Sequence, residues 1–285
     1  MLWLFEGFTS YYDDLILART GLIDDKQYVE MITKTWNGVL RGNGRTKQSV
    51  AASSFDAWTK YYRQDENAPN AIVSYYTKGS LVALALDLTI REKTAGRRSL
   101  DDIMRALWQR YGREFYAPGA VQRGVTEAEV YALFDEISGL RLGALLRALT
   151  EGTGEIGLVP LLRAFGIKAE AQKAPAAMTA AALGIKTRAE DGWVRVTQVL
   201  DDSAGQAAGV SAGDLLVAFD GLRVTGGQLD KLLARYRAGD RAELHVFRRD
   251  ELQVLQVKLG REPATQYRVT VEEGRHALRA RWLGQ

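Results

Sequence analysis

The sequence predicts an α+β protein with two parts, a mostly helical part in residues 1–165 and a strand-rich part after residue 178. Two observations predict this division. Helix-start signals and runs of helical period fill the first part, whereas short stretches of alternating apolar and polar residues fill the second. Between them, the alanine-rich segment KAEAQKAPAAM contains one proline and no clear period, which is typical of a linker and is assigned to residues 166–178.

Composition restricts the function classes. A chain of 285 residues that is 46% hydrophobic and 26% charged is typical of a folded globular protein. The 38 basic and 35 acidic residues nearly balance, and no lysine- or arginine-rich run is long enough to follow phosphates, so no nucleic-acid partner is predicted. The absence of cysteine excludes disulfides and thiolate ligands. The longest apolar run, LVALALDLTI, is too short to span a bilayer and contains Asp87, so no membrane segment is predicted.

Capping boxes predict three helix starts, because their side chains satisfy amides that are unpaired at a helix N-terminus. The pairs are Asp24 with Gln27, Ser99 with Asp102, and Thr126 with Glu129. The second and third of these helices are predicted to end at Gly112 and Gly139, where a left-handed residue is expected. The segments GNGRTKQSVAASS and YYRQDENAPN lack helical period and are predicted to be loops.

Glu6, in the opening run LWLFEGFTSYYDDL, is a candidate metal ligand. A single glutamate on an aromatic-rich helix is most often a solvated or capping acid. A catalytic zinc ion of the two-His, one-Glu type needs three protein ligands and an open position for water. The sequence has no His-Glu-x-x-His pair, since His245 and His276 are its only histidines. The residues alone therefore leave Glu6 either a solvated acid or one ligand of an incomplete site.

A second candidate site is the segment SYYTKGSLVALALDL, which begins at Ser74 and places Tyr75 and Tyr76 before an apolar helix. A neutral phenol can donate a hydrogen bond to an oxyanion, because it stays protonated near neutral pH. The competing interpretation is that two aromatic side chains simply pack beside the helix. Register alone separates Tyr76 from Tyr75.

These two segments together resemble the gluzincin metallopeptidases, and most closely the glycyl aminopeptidases that carry a PDZ domain. Glu6 with the following Gly-Phe is similar to the helix that provides the third zinc ligand, and Tyr76 stands at the tyrosine of the Tyr-x-Lys-Gly signature. The resemblance implies that residues 1–165 form the C-terminal half of a thermolysin-like peptidase domain with zinc as cofactor. It further implies removal of N-terminal glycine, or alanine, from peptides. The histidine pair is then expected upstream of Met1, and this chain alone is expected to be inactive.

The strand-rich part resembles a bacterial PDZ domain, assigned to residues 179–262, with residues 263–285 as a tail. The strands WVRVTQVL and AELHVF alternate apolar and polar residues, and the helical segment TGGQLDKLLARYR lies between them. The most specific element is the run from Gly209 to Asp214, which is followed after an apolar strand by Asp220-Gly221.

The PDZ resemblance implies a binding groove for peptide C-termini or extended segments. In such domains a peptide adds as a strand between a sheet edge and the helix, while loop amides hold its carboxylate. The matching residues are Leu183, Gly184 and Ile185 in the loop, with Leu229, Leu233 and Tyr236 on one helix face. For the three helix residues, core packing is equally expected.

Two functions from different classes remain open at this point. One is the C-terminal part of a zinc aminopeptidase, and the other is a non-catalytic PDZ protein that binds peptides and uses the helical part as a scaffold. A formal Gly-x-Gly-x-x-Gly at residues 152–157 follows a predicted helix rather than a strand, so nucleotide binding is not predicted. Neither function specifies an oligomeric state.

Overall fold

The computed structural model describes residues 1–119, 122–172, 181–261, 266–274 and 276–284. The first part of the chain is helical, as predicted. Its helices within the described ranges are α1 (Leu2–Arg19), α2 (Asp25–Arg41), α3 (Val50–Phe55), α4 (Ala68–Ala71), α5 (Thr77–Lys93), α6 (Leu100–Leu107), α7 (Glu127–Ser138), α8 (Gly143–Thr150) and α9 (Leu158–Arg163). Turns of 3₁₀ helix at Asn43–Thr46 and Tyr61–Arg63 flank α3, and a π-helical turn at Trp108–Gly112 extends α6.

Helix α5 is the centre of the helical part. All its residues from Lys78 to Arg91 are buried, because neighbouring helices cover it on every side. A helix buried all round has no polar face, which explains why its sequence shows an apolar run rather than a helical period. Its partners include α1, which packs along it, and α2.

The predicted helix starts are confirmed, while some ends and loops differ. All three capping boxes form, and Gly139 adopts the predicted left-handed conformation. The left-handed cap predicted at Gly112 is wrong, because α6 continues into the π turn and the Trp108 ring covers this glycine, whose added Cβ would lie 2.4 Å from a ring carbon. The two predicted loops also contain short helices, one of which is α3, capped by the Ser49 side chain.

A buried carboxylate links four helices of this core. Asp87 on α5 is fully buried and accepts hydrogen bonds from Tyr11 Oη at 2.7 Å, Arg91 Nε at 2.9 Å and the Leu100 amide at 2.8 Å. The Tyr11 hydroxyl in turn accepts from the indole of Trp282 at 2.8 Å. A buried charge is tolerated when it is paired and fully hydrogen-bonded, so Asp87 is a structural centre rather than a disruption of the apolar run.

The second part is built on antiparallel strands. Its elements are β1 (Ile167–Gln172), β2 (Ala181–Ala182), β3 (Ile185–Glu190), β4 (Trp193–Val199), α10 (Ala204–Ala207), β5 (Leu215–Phe219), β6 (Leu222–Arg223), α11 (Leu229–Leu233), β7 (Arg241–Arg248), β8 (Glu251–Lys258), β9 (Gly260–Arg261), β10 (Gln266–Val271) and α12 (Ala277–Leu283). The main sheet has the order β3-β4-β5-β7-β8, with β6 paired to β5. Val194 and Val196 on β4, and Leu244 and Val246 on β7, are buried, which confirms the alternation predicted for these strands.

The chain returns to the helical part after this sheet. Strand β1 pairs antiparallel with β10, and α2 binds β10 through Asn37, whose side-chain amide exchanges two hydrogen bonds with the Tyr267 backbone at 2.9 and 2.8 Å. Ile167 and Trp282 are fully buried in the helical core. Strand β1, which was expected to begin a linker, and β10 and α12, which were expected to be a tail, therefore pack on the helical core. Pairing between distant segments places them there, and local composition does not indicate it. Residues 173–178 of the predicted linker, residues 179, 180 and 262 of the predicted PDZ domain, and residues 263–265, 275 and 285 of the predicted tail lie outside the described residues.

The sheet also contacts the helical part through the turn after β4. The Asn70 side chain donates to the Val199 carbonyl at 2.8 Å and accepts from the Asp201 amide at 2.9 Å. Lys47 forms an ion pair with the Asp201 carboxylate. These bonds fix the turn against the segment that leads into α5. In the described part of the chain, no helix combines the length and apolarity that crossing a membrane requires.

Candidate active site and peptide groove

The crossing of α1 and α5 brings the two predicted catalytic segments together. A Cβ atom built on Gly7 would lie 2.7 Å from the backbone of Gly79, and one built on Gly79 would lie 2.9 Å from the Gly7 Cα. Only glycine permits such a close approach of two helix backbones. Glu6 directly precedes Gly7 on α1. Tyr76, the N-cap residue of α5, lies three residues before Gly79. The glycines of both motifs thus act as the contact that positions the two side chains.

Three phenols form a hydrogen-bonded group next to this crossing. The Tyr75 hydroxyl donates to the Tyr62 hydroxyl at 3.1 Å, and the Tyr62 and Tyr76 hydroxyls lie 3.2 Å apart. The Tyr75 and Tyr76 rings stack with centroids 4.7 Å apart. Tyr75 is fully buried, Tyr76 is half-buried and Tyr62 is 53% exposed. Tyr76 is therefore the member of the predicted pair whose side chain is partly open to solvent.

The phenols differ in acidity because their surroundings differ. Burial, followed by its hydrogen bond to Tyr62, raises the pKa of Tyr75 well above its ordinary value. The pKa of Tyr76 is raised by its hydrogen bond to Tyr62, by partial burial and by the negative charge of Glu6. The hydrogen bonds that Tyr62 shares with Tyr75 and Tyr76 lower its pKa. Tyr75 and Tyr76 are thus held in the protonated form that a hydrogen-bond donor needs.

Glu6 lies on α1 at the helix crossing, directly before Gly7. Its negative charge adds to the raised pKa of Tyr76 and opposes the lowering of the Tyr62 pKa, and its side chain is half-buried. Among the described residues this carboxylate has no hydrogen-bond or ion-pair partner. Its oxygens are therefore open either to solvent or to a metal ion.

The described residues do not complete a metal site around Glu6. They contain no group of three or more His, Cys, Asp or Glu side chains able to hold an ion. His245 lies on β7, with its Nε2 atom 3.3 Å from Glu243, and His276 caps α12 beside Gly166. Neither histidine therefore lies beside Glu6. One carboxylate provides too few ligands for a zinc ion.

Lys78 connects the α5 motif to its supporting segment. Its side chain is buried and its Nζ atom donates to the Arg45 carbonyl at 2.9 Å, while burial lowers its pKa. Arg45 belongs to the 3₁₀ turn that precedes Lys47, the partner of Asp201. The lysine of the Tyr-x-Lys-Gly segment therefore has a structural role beneath the candidate site.

The predicted carboxylate loop, Leu183–Ile185, is held in place through its carbonyl groups. Its carbonyls are occupied, because Leu183 O accepts from the Gly205 amide at 2.7 Å and Gly184 O accepts from the Leu200 amide at 2.9 Å. Within the described ranges, the Leu183 and Gly184 amides donate no hydrogen bond. Gly184 has φ of 66° and faces Ser203, so both its conformation and its space require glycine. These two amides thus have no partner in the described part of the chain, as the predicted anion-binding loop requires.

The helix side of the predicted groove is mostly core. Leu229 and Leu233 are buried in the hydrophobic core beneath the sheet, together with Leu232. Tyr236 packs its ring edge-on against Phe219 and donates its hydroxyl to Asp220 at 2.7 Å. For these three predicted groove residues, core packing is thus the role that their contacts show.

The edge of β3 is the exposed side of this groove. Among the described strands β3 pairs only with β4, so its outer edge is free to add a strand. Ala189 on β3 lies beside Gly226, shortly before α11, which brings the helix start near that edge. A free edge beside a helix is the arrangement that strand addition requires.

Comparison with known proteins agrees with both halves of this description. Residues 1–82 match the model of the M61 glycyl aminopeptidase family, and residues 181–259 match the PDZ domain model. The chain combines an M61 glycyl aminopeptidase segment with a PDZ domain. Glu6 and the three phenols all lie in the M61 segment, and the carboxylate loop lies in the PDZ domain.

Solved structures include one that resembles the whole chain. The aminopeptidase N family protein from Idiomarina loihiensis is 35% identical, with a TM-score of 0.88, over 100% of this chain and 48% of that chain. This chain therefore spans about half the length of that aminopeptidase. A serine-to-alanine variant of the HtrA-type protease AlgW, solved with a decapeptide, is 21% identical over 30% of each chain, with a TM-score of 0.29. No curated protein matches the chain.

Tyr62 is a residue of this site that the sequence did not indicate. It lies in the segment predicted to be a loop, and its hydroxyl contacts both candidate phenols. The available signal was the tyrosine pair Tyr61-Tyr62, but no sequence spacing connects that pair to Tyr75 and Tyr76. Only the packing of the 3₁₀ turn against α5 brings them together.

Proposed function

We propose that the M61 segment supplies one metal ligand and one oxyanion donor to the active site of a zinc aminopeptidase. The single observation that carries this proposal is the contact between Gly7 and Gly79, which joins the Glu-Gly-Phe and Tyr-x-Lys-Gly segments at one point. In this proposal Glu6 is the carboxylate ligand. The two histidine ligands come from residues outside this sequence, which spans 48% of the similar aminopeptidase.

The chemistry divides between the metal and this chain. When bound, a zinc ion of this class supplies an activated water for attack on a peptide carbonyl. Tyr76 donates a hydrogen bond to the carbonyl oxygen as negative charge develops there. A phenol is protonated at neutral pH, so Tyr76 holds the hydrogen that this bond requires. Tyr75 is fully buried and donates a hydrogen bond to Tyr62, so its role in this proposal is to hold Tyr62 in place.

The substrate and the state of the isolated chain are part of the same proposal. The family model that matches residues 1–82 is described as glycyl aminopeptidase, which supports removal of N-terminal glycine, with alanine as the next smallest side chain. Because Glu6 is one ligand of three, this chain alone binds no stoichiometric zinc and has no turnover. Its PDZ domain binds peptide C-termini or extended segments through the free amides of the carboxylate loop and the β3 edge.

Activity measurements on a longer protein test the role of Tyr76. A protein in which a His-Glu-x-x-His helix precedes this sequence should release nitroaniline from glycyl p-nitroanilide. Tyr76→Phe should lower kcat on the order of a hundredfold, since an oxyanion donor acts in the transition state, with little effect on KM. Tyr75→Phe is the matched control and should lose far less. Equal losses in both variants would remove the assignment to Tyr76.

The second candidate function, a non-catalytic peptide-binding protein, is favoured by one observation. The described residues hold a single candidate zinc ligand, whereas the PDZ loop offers two free amides. Titration of this chain with a peptide that has a free C-terminal carboxylate, and with the same peptide amidated, measures that binding. A longer protein that holds zinc but lacks aminopeptidase activity would favour this candidate over the first.

A further inference from the structure

Tyr62 reaches the candidate oxyanion donor from a separate and well-fixed segment. Its amide donates to the carbonyl of Ala57 at 3.0 Å, and Ala57 is fully buried. The turn before it is closed by Lys60, whose amide donates to the Asp56 carbonyl at 2.8 Å and whose ammonium pairs with the Asp56 carboxylate at 2.6 Å. The Tyr62 ring also packs on Trp58, with centroids 5.2 Å apart. The position of the Tyr62 hydroxyl is thus set by backbone and ring contacts rather than by the phenols it meets.

The hydrogen-bond capacity of a phenol limits what this arrangement can do. A phenolic oxygen donates one hydrogen bond and accepts up to two. Tyr75 donates to Tyr62, so the Tyr62 hydrogen is available for Tyr76. If Tyr62 donates to Tyr76, the Tyr76 hydrogen is available for another acceptor, and the Tyr76 side chain is half-buried and so partly open to solvent. Hydrogen bonds aligned in one direction strengthen one another.

We propose that Tyr62 is the positioning residue of the candidate oxyanion donor, in a directed chain from Tyr75 through Tyr62 to Tyr76. The inference rests on the proposed function, because the last hydrogen bond of the chain goes to the substrate carbonyl oxygen. No proton is transferred along the chain. Tyr62 aligns the Tyr76 hydroxyl before charge develops, and it replaces the water that would otherwise compete for the Tyr76 oxygen.

A conservative pair of variants tests the positioning role in the longer, active protein. Tyr62→Phe keeps the ring that packs on Trp58 and removes only the hydroxyl. We expect kcat to fall roughly tenfold, the effect of one lost hydrogen bond of about 1–1.5 kcal/mol, while KM changes less than twofold. Tyr61→Phe is the matched control, since the Tyr61 hydroxyl contacts Ser74 Oγ instead, and it should keep kcat within twofold.

A double-mutant cycle separates this inference from the proposed function. If Tyr76→Phe leaves kcat unchanged, the proposed function fails and the positioning role fails with it. If Tyr76→Phe lowers kcat strongly and Tyr62→Phe lowers it further by the same factor in that background, the two act independently and only the positioning role is overturned. We expect no further loss in the double variant, because a residue that acts through Tyr76 has no effect once its hydroxyl is gone.

A spectroscopic measurement on this chain provides a readout other than activity. The carbon-13 signals of Cζ-labelled tyrosine report the hydrogen bonding of each phenol, and Phe variants assign them. At neutral pH, Tyr62→Phe should shift the Tyr75 and Tyr76 signals, whereas Tyr61→Phe should leave them in place. Unchanged Tyr75 and Tyr76 signals in a folded Tyr62→Phe chain would overturn the hydrogen-bonded chain.

Discussion

Replacing Gly79 with alanine tests the helix crossing on which the candidate site depends. The new Cβ would lie 2.9 Å from the Gly7 Cα and 3.0 Å from the Trp3 carbonyl oxygen, and both are backbone atoms that cannot rotate away. Alanine gains about 1 kcal/mol over glycine in a helix interior. Overpacking of a close contact costs roughly 1–3 kcal/mol. We therefore expect a net loss of about 0–2 kcal/mol in the free energy of unfolding.

Gly38→Ala supplies the matched control for this variant. Gly38 lies inside α2 on an exposed surface, and a Cβ built there meets no atom within 4 Å. The substitution should therefore stabilise the protein by roughly 0.5–1 kcal/mol through helix propensity alone. Urea unfolding followed by far-ultraviolet circular dichroism measures both variants, with equal slopes required for comparison. A Gly79→Ala protein as stable as Gly38→Ala would refute the close crossing.

Three further predictions concern the core and the domain contact. Asp87→Ala should lower the free energy of unfolding by about 3–5 kcal/mol, because Arg91 then loses the fully buried one of its two carboxylate partners. A loss below about 1 kcal/mol in urea would contradict this. Burial opposes ionisation of Asp101, but its bonds with Arg19 hold its pKa below the ordinary value. The contribution of this carboxylate to the free energy of unfolding is therefore complete above about pH 4 and is lost as pH falls through the lower folded-state pKa. Asp101→Asn should accordingly lose less stability than the wild type between about pH 5 and pH 2, and parallel acid-unfolding curves would argue against the ion pair. Asn70→Ala should speed hydrogen exchange at the Asp201 amide, which donates to Asn70, and leave protection of the sheet unchanged; unaltered exchange there would show that the contact is dispensable.

Local signals in the sequence predicted the local structure of the helical part. Each capping box requires only residues three apart, so Thr126 and Glu129 specify their helix start without help from the rest of the chain. The end of α6 was different, because Trp108 covers Gly112 and the helix continues as a π turn. Side-chain packing across a turn is not encoded by the identity of the glycine alone.

Pairings between distant segments were not predictable from the sequence. Strand β1 pairs with β10, about a hundred residues later, and Trp282 returns to the hydroxyl of Tyr11. The local composition of these segments is typical of a linker and a tail, and it carries no information about partners that lie far away along the chain. Tyr62 illustrates the same limit at the candidate site, since its link to Tyr76 exists only through the fold.

The predicted groove residues separate by the same reasoning. Gly184 was predictable because a positive φ and the close approach of Ser203 both demand glycine, which leaves a mark in the sequence. Leu229 and Leu233 share a helix face with core residues, and apolar side chains serve a core and a groove equally well. The contacts of Tyr236 with Phe219 and Asp220 decide its role, and these appear only in the folded domain.

Zinc stoichiometry tests most directly whether Glu6 belongs to a metal site completed by residues outside this sequence. Elemental analysis and zinc titration should find about one zinc per chain in a longer protein that carries a His-Glu-x-x-His helix, and none in this chain alone. Glu6→Gln should weaken zinc binding in the longer protein on the order of a hundredfold, whereas Glu30→Gln, on the exposed face of α2, should leave it unchanged. Full zinc affinity in Glu6→Gln, or stoichiometric zinc in this chain alone, would contradict the account.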